Sequence, residues 1–304
     1  MKKAITIILL VFVLVAVSAQ TVGENGFTEL MKAAKNNDYK TASKLIAEKA
    51  NVDDADSYGW TSLMWAARYN SKDVISLLVI AGANLEAKQE AGFTALMIAA
   101  AFGASDSLEL LVNAGADIEN RNNIGMTALM TATETDSSYI ARVLLDKGAD
   151  IESADYYGKT AIMWAAIRNA DNTANVLIAY GADVDAKTHS PSYENEQETN
   201  FWISNTYDAY GKNDICRTAL MFAAEKDSYD VLELLIKESA KLESTDSHGY
   251  TALMYAAANN STESLKLLIN AGAKRAAKSA DGNTALSIAR IYGNESAEEI
   301  ILSR

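Results

Sequence analysis

GWTSLMWAARYNSKDVISLLVIAGANLEAKQEA, residues 59–91, decides the fold. Gly59 stands where a turn needs positive φ, which glycine adopts without steric cost. Thr61 is placed to cap a short first helix with its hydroxyl. In that helix Leu63 and Met64 lie on the buried side, and Ala66 and Ala67 allow close neighbours. Ser71 opens a second helix, with Val74, Leu77 and Leu78 at the i, i+3, i+4 spacing of an apolar stripe. Gly82 ends it as a left-handed residue. ANLEAKQEA then projects to the next glycine, so the unit reads helix, turn, helix, finger.

The unit recurs every 33 residues. Gly26, Gly59, Gly92, Gly125 and Gly158 keep that spacing, as do Gly249 and Gly282, and Cys216 holds the glycine slot between the two series. The phrase after the slot is TSLMWAA from Thr61, TALMIAA from Thr94, TALMTAT from Thr127, TAIMWAA from Thr160, TALMFAA from Thr218 and TALMYAA from Thr251. A fixed period of this length predicts an all-α solenoid of stacked units, each contacting its neighbours.

These phrases resemble the ankyrin repeat, whose 33-residue unit carries T-P-L-H-x-A. Here the tetrad is Thr-Ala-Leu-Met. Alanine in place of proline keeps the helix start and gives up preorganisation. The family's histidine joins a polar network between repeats; Met64, Met97, Met130, Met163, Met221 and Met254 fill that place by packing. AGANLEA, AGADIEN, KGADIES, YGADVDA and AGAKRAA resemble the family's finger. The resemblance implies about eight units: a capping repeat at 26–58, repeats at 59–190, an insertion at 191–215, repeats at 216–281 and a last cap at 282–304. Charge at apolar sites of the first unit, such as Lys32, and the absence of a finger after the last read as caps that make the array complete, with no room for a catalytic domain.

Residues 1–19 read as a signal peptide. Lys2 and Lys3 precede an apolar run from Ala4 to Val17, and Val17-Ser18-Ala19 predicts cleavage before Gln20. The run is shorter than the roughly 20 residues of a spanning helix, so no stable membrane insertion is expected once it is cleaved. The short dibasic start resembles a bacterial one and predicts a periplasmic or secreted protein.

Formal net charge is −13, and the acids concentrate between residues 92 and 248. This disfavours nucleic acid and anionic lipid, whose phosphates need clustered Lys and Arg, and admits a basic protein partner. One cysteine and two histidines leave no usual zinc site. There is no phosphate-cradling glycine loop, no H-E-x-x-H and no serine with an evident base. No enzyme activity, catalytic residue, metal or cofactor is expected. The Asp-x-Glu pairs of the ADIE segments read as finger residues, not as an acid–base pair.

Ankyrin-like arrays bind through fingers and inner helices, by resemblance. At the corresponding positions the first half is aromatic or apolar: Tyr58, Trp60, Tyr69, Phe93, Phe102, Met126, Tyr156 and Tyr157. Later units carry Lys159, Arg168, Arg217, Lys226 and Asn259 there, with Tyr250 an exception. Tyr and Trp are common interface anchors, so the first set forms a candidate partner-binding stripe; packing of these rings against neighbouring fingers is the other reading. Trp65, Ile98, Trp164, Phe222 and Tyr255, one step deeper, read as core. The insertion adds 25 residues before Cys216 and contains Phe201 and Trp202, a second candidate contact. The expected function is an exported, monomeric, non-enzymatic scaffold that binds a protein through its concave face and fingers. One alternative is a small-ligand or metal site between the insertion and that face. Another is an effector acting on a host protein.

Overall fold

The computed structural model describes residues 26–189 and 216–303. Sixteen α-helices occur among them, in consecutive pairs, and two compact units divide between Asp150 and Ile151. The expected signal peptide and the expected insertion at 191–215 lie outside the described residues. Among the described residues no helix is long and apolar enough to cross a membrane, and no group of acidic, histidine or cysteine side chains could hold a metal ion.

In the first unit the pairs are α1 (Glu29–Lys35) with α2 (Tyr39–Ala47), α3 (Ser62–Arg68) with α4 (Lys72–Ile80), α5 (Ala95–Ala101) with α6 (Ser105–Asn113), and α7 (Ala128–Thr131) with α8 (Ser138–Asp146). In the second they are α9 (Ala161–Arg168) with α10 (Asp171–Ala179), α11 (Ala219–Lys226) with α12 (Tyr229–Lys237), α13 (Ala252–Asn259) with α14 (Thr262–Asn270), and α15 (Ala285–Tyr292) with α16 (Glu295–Leu302). Within each unit odd helices pack on odd and even on even, giving an inner and an outer layer.

The inner layer is closely packed around alanines and methionines. Ala66, Ala67, Ala99, Ala100, Ala165, Ala166, Ala256 and Ala257 are fully buried, and the six methionines in the family's histidine slot are at most 1% exposed. Thioether packing therefore replaces a polar network at that position. Thr61 and Thr94 cap their helices by accepting from the amides of Met64 and Met97 at 3.4 Å. In α4 the buried stripe is Val74, Ile75 and Leu78, and Leu77, expected in it, is half-buried. Helix α7 tightens after one turn into a 3-10 segment, Ala132–Glu134. Its TALMTAT phrase puts hydroxyls mid-helix, and Thr131 and Thr133 donate back to the carbonyls of Ala128 and Met130 at 2.8 Å, competing with the helical ladder.

Repeats are stitched by polar side chains the methionine substitution does not touch. Asn37, Asn70 and Asn169 stand in the left-handed region between inner and outer helices, which Asn tolerates better than most residues. Each reaches the next outer helix. Asn37 Oδ1 accepts from Asp73 and Val74 at 3.2 and 3.3 Å, Asn70 Oδ1 from Ser107 at 2.9 Å, and Asn169 Oδ1 from Val231 at 3.3 Å. Their amide nitrogens donate to Asp73, Asp106 and Asp230.

A second ladder runs along the fingers. The amide of Asn84 donates to Asp53, Asp117 to Glu86, Asp150 to Glu119, Asp183 to Glu152, Lys241 to Asp185 and Lys274 to Glu243, all at 2.8 to 2.9 Å. The Asp-x-Glu pairs are thus finger struts: Asp117 Oδ1 accepts from Glu119 N, and Glu119 carries the strut onward.

Each finger ends in a turn held by a buried acceptor three residues before the glycine slot. Asp56 Oδ1 accepts from the amides of Tyr58 and Trp60 at 2.9 Å, while its backbone pairs with Trp60 O and Gly59 N. The insertion is built on the same frame. Thr188 N donates to Arg217 O at 2.9 Å, Cys216 N to Thr188 O at 2.8 Å, and Arg217 N to Thr188 Oγ1 at 2.9 Å. The chain leaves a standard finger turn at Thr188 and rejoins it at Cys216. Cys216 takes the glycine conformation, φ 69°, at the steric cost of a Cβ.

The turn glycines are also needed for approach. A Cβ on Gly249 would lie 2.7 Å from the backbone nitrogen of Ala280 in the next finger, whereas one on Gly272 meets nothing within 4 Å. Both have positive φ. Gly249→Ala is expected to cost about 3 kcal/mol and Gly272→Ala about 1 kcal/mol. Urea denaturation of the two variants checks the difference, and equal losses would refute the finger-stacking argument.

Candidate functional site

The inner face of each unit is built from three columns of the 33-residue register: the residue after the glycine slot and the two that end the inner helix. In the first unit they converge on Arg68. Its guanidinium lies 4.7 Å from the ring centre of Phe102, 5.6 Å from Tyr69, 5.7 Å from Trp60 and 5.9 Å from Trp65. Phe27 meets Trp65 edge-on at 5.0 Å, Trp60 lies 5.0 Å from Trp65, and Tyr69 stacks on Trp65 at 6.2 Å. Lys35 stands 5.3 Å over Tyr69. Burial among the rings lowers the Arg68 pKa from its ordinary value, though the guanidinium stays charged at any working pH.

Trp65 is oriented from beneath. Asp56 takes two finger amides on Oδ1 and presents Oδ2 to the indole N–H of Trp65, nine residues on, at 3.3 Å. The device recurs in the second unit. Asp155 Oδ2 accepts from Trp164 Nε1 at 3.1 Å, and Asp246 Oδ2 from the Tyr255 hydroxyl at 2.6 Å. Where the acceptor is Gln89, Asn122, Thr188 or Ser279, the residue nine on, or at its register equivalent, is Ile98, Thr131, Phe222 or Ile288. Aspartate with its second oxygen to satisfy is matched to a ring donor, and an acceptor without that demand to none. Burial pushes the Asp155 carboxyl above its usual range despite Lys159 and the amides that oppose the shift.

The stripe expected from sequence divides. Trp60, Phe93 and Met126 are buried, at 2%, 5% and 3% exposure, and present no free surface. All three follow the glycine slot, and the turn acceptors Asp56 and Asn122 hold the amides of Trp60 and Met126. Tyr58, Phe102, Tyr156 and Tyr157 are half-buried, and Tyr69 is exposed at 40%. Phe201 and Trp202, and the small-ligand or metal alternative that depended on their segment, lie outside the described residues. Trp65, Ile98, Trp164, Phe222 and Tyr255 are buried as expected.

Sequence reasoning passed over Arg68, Lys35 and Phe27, although the same columns hold all three. It also passed over Ile291 and Tyr292, which end α15 and stand 66% and 62% exposed. Reading the columns for cations as well as rings finds them.

In the second unit Lys159 lies 4.5 Å over Tyr157 and 5.6 Å over Trp164, and Arg168 lies 6.0 Å over Trp164. Arg217 is buried with its guanidinium 4.1 Å from the ring centres of both Phe222 and Tyr255, and it pairs with buried Glu225, which Lys226 also contacts at 2.8 Å. Burial alone would raise the Glu225 pKa; Arg217 and then Lys226 outweigh it and hold the carboxyl below its ordinary value.

The family described as ankyrin repeats (3 copies) matches residues 6–89, 30–122, 96–188, 193–278 and 220–304. The helix pairs, glycine turns and struts define a helical repeat solenoid. The chain belongs to the ankyrin repeat family. Ankyrin repeats generally mediate protein–protein interaction, and proteins built from them are typically non-enzymatic scaffolds. Comparison with curated proteins finds no significant match.

Two consequences are measurable. Asp155→Asn turns an amide N–H toward the Trp164 indole N–H, and Trp164→Phe leaves an oxygen of Asp155 without that donor. The double variant is expected to lose about 1 kcal/mol less than the sum of the singles, read by denaturant unfolding. Because the Glu225 pKa is depressed in the fold, its stabilisation is present above its ordinary value of 4.5 and lost as pH falls through the lower folded value. The stability gap between wild type and Glu225→Gln is therefore expected to shrink below about pH 4.5; a gap that is constant with pH would contradict the pairing.

Proposed function

We propose that the chain is an exported scaffold that binds a protein partner through its inner face, with no chemistry of its own. The observation that carries this reading is the cation–ring cluster of the first unit, where Tyr69 is exposed and Arg68, Lys35 and Phe102 are only half-buried. Tyr69 stacks on Trp65, which buried Asp56 orients, so it loses little side-chain freedom on contact, which favours binding. Tyr and Arg are also the residue types that dominate interface energetics. The methionine and alanine packing beneath gives the face a fixed backing. The apolar start at Ala4 to Val17 supports export to the periplasm or beyond.

Capture with the full chain tests this. A partner retained by wild type and by Tyr39→Ala, an exposed residue of the outer helix α2, is expected to be lost from a Tyr69→Ala/Phe102→Ala variant. Each ring at the contact is expected to contribute about 1–2 kcal/mol, roughly a tenfold effect. Binding that survives loss of both inner-face rings, or that depends on Tyr39, would overturn the assignment to the inner face.

A further inference from the structure

The last finger and the last helix pair are not built to receive another repeat. Ala276 stands where the other fingers carry the acid that holds the next one, as Glu243 holds Lys274 N. Arg290 and Glu298 occupy the slots of Ala257 and Leu265, which are fully buried one repeat earlier, and pair with each other at 2.7 Å. A polar outer face of this kind suits a cap. Its margins are different: Ile291, Tyr292 and Leu302 are all exposed.

Earlier repeats show which side chains leave this face. Arg68, at the register of Ile291, lies 4.7 Å from Phe102 of the next repeat. Lys72, at the register of Glu295, borders a groove shared with α6. Glu109, at the register of Glu299, accepts from the Tyr139 hydroxyl of the next outer helix. Lys88 and Lys187, at the register of Lys278, donate to Arg121 O and Thr245 O of the next finger at 2.8 and 3.0 Å. Leu302 follows Glu295 and Glu299 at the seventh and third positions on, so it shares their side of α16. The two ends of the face differ. Arg275 donates to Ile301 O at 3.0 Å and ties the last finger to the end of α16, so Lys278 and Leu302 share one end. Ile291, Tyr292 and Glu295 share the other, where α15 turns into α16. Neither Lys278 nor Glu295 enters an ion pair among the described residues.

We infer that this face pairs with the same face of a second copy of the chain across a two-fold axis, with the two α16 helices antiparallel. The inference goes beyond the proposed function and departs from the monomer expected from sequence. A two-fold interface uses one patch twice, so the patch must complement itself. Here the finger end of each copy covers the turn end of the other. Lys278 meets Glu295 of the second copy, and Leu302 meets its Ile291 and Tyr292. Near the axis Arg290, half of an exposed pair with Glu298, is the cation offered to Glu299 of the second copy. A two-fold axis along the helices would instead set Lys278 against Lys278 and Glu295 against Glu295. Head-to-tail stacking would need the strut acid and the apolar slots that Ala276, Arg290 and Glu298 remove.

Sedimentation velocity of the full chain over a concentration series tests the inference. The expected result is a reversible monomer–dimer equilibrium. Each contact occurs twice, so Leu302→Asp, Lys278→Glu and Glu295→Lys are each expected to raise the dissociation constant about tenfold. The double variant Lys278→Glu/Glu295→Lys is expected to recover most of that loss, because both partners of each ion pair change sign together. Far-UV circular dichroism checks that the variants keep their helices; all three side chains are exposed. A chain that is monomeric at every concentration would overturn the inference. So would a dimer indifferent to the three substitutions, as association through the apolar residues 4–17 would be. A double variant weaker than either charge reversal alone, or open-ended growth beyond the dimer, would also overturn it.

Discussion

The structure depends on one small arrangement, the finger turn closed by a buried acceptor. Each turn must reverse the chain, bury its own amides and deliver the next inner helix at a fixed height. A side-chain oxygen three residues before the glycine slot takes the amide that would otherwise be orphaned, and the slot itself supplies the positive φ. Because every turn is closed alike, successive fingers lie near enough for one backbone bond between them, as from Glu90 N to Tyr58 O at 3.1 Å and Ala280 N to His248 O at 2.8 Å. The same frame accepts Thr188 and Cys216 at the mouth of the long insertion, so the interruption leaves the register of the struts intact on both sides.

Charge is distributed by this arrangement and not by solubility alone. Fingers and outer-helix starts both present unpaired amides, and short acidic or amide side chains satisfy them. An array made of such units gathers acid with every repeat. The inner-helix ends have other demands, since helix C-termini favour cations. Arg68, Arg168 and Lys226 stand at those ends, Arg68 over Trp60 of the finger turn and Arg168 over Trp164 of its own helix. A chain acidic in sum therefore carries cations at its inner-helix ends.

Much of the fold was legible in the residues. The glycine slots, the threonine cap of α3, the alanine-lined inner helices and the buried place of the methionines all follow from short-range rules applied at a fixed period. The deeper aromatic column was legible too, since Trp65 and Trp164 fall inside a helix too short to have two wet faces. The candidate site was read less well. Trp60, Phe93 and Met126 all follow the glycine slot, whereas Tyr58 precedes it and Tyr69 ends the inner helix; the period separates these places, and only the packed turn shows that the first buries its side chain here.

Sequence by itself determined the period, the helix–turn–helix–finger unit, the ankyrin resemblance and the columns from which any surface must be made. Those are local properties: backbone conformation, caps and apolar spacing act within a few residues and repeat. Only tertiary structure decided which members of a column face outward. It paired Asp56 with the ring nine residues on, gathered four rings about Arg68, and tied the acids of one finger to the amides of the next. These pairings join residues of different elements and, for the struts, residues 31 apart in unbroken repeats, and the energy of a buried charge or ring depends on neighbours that only the stacked array brings together.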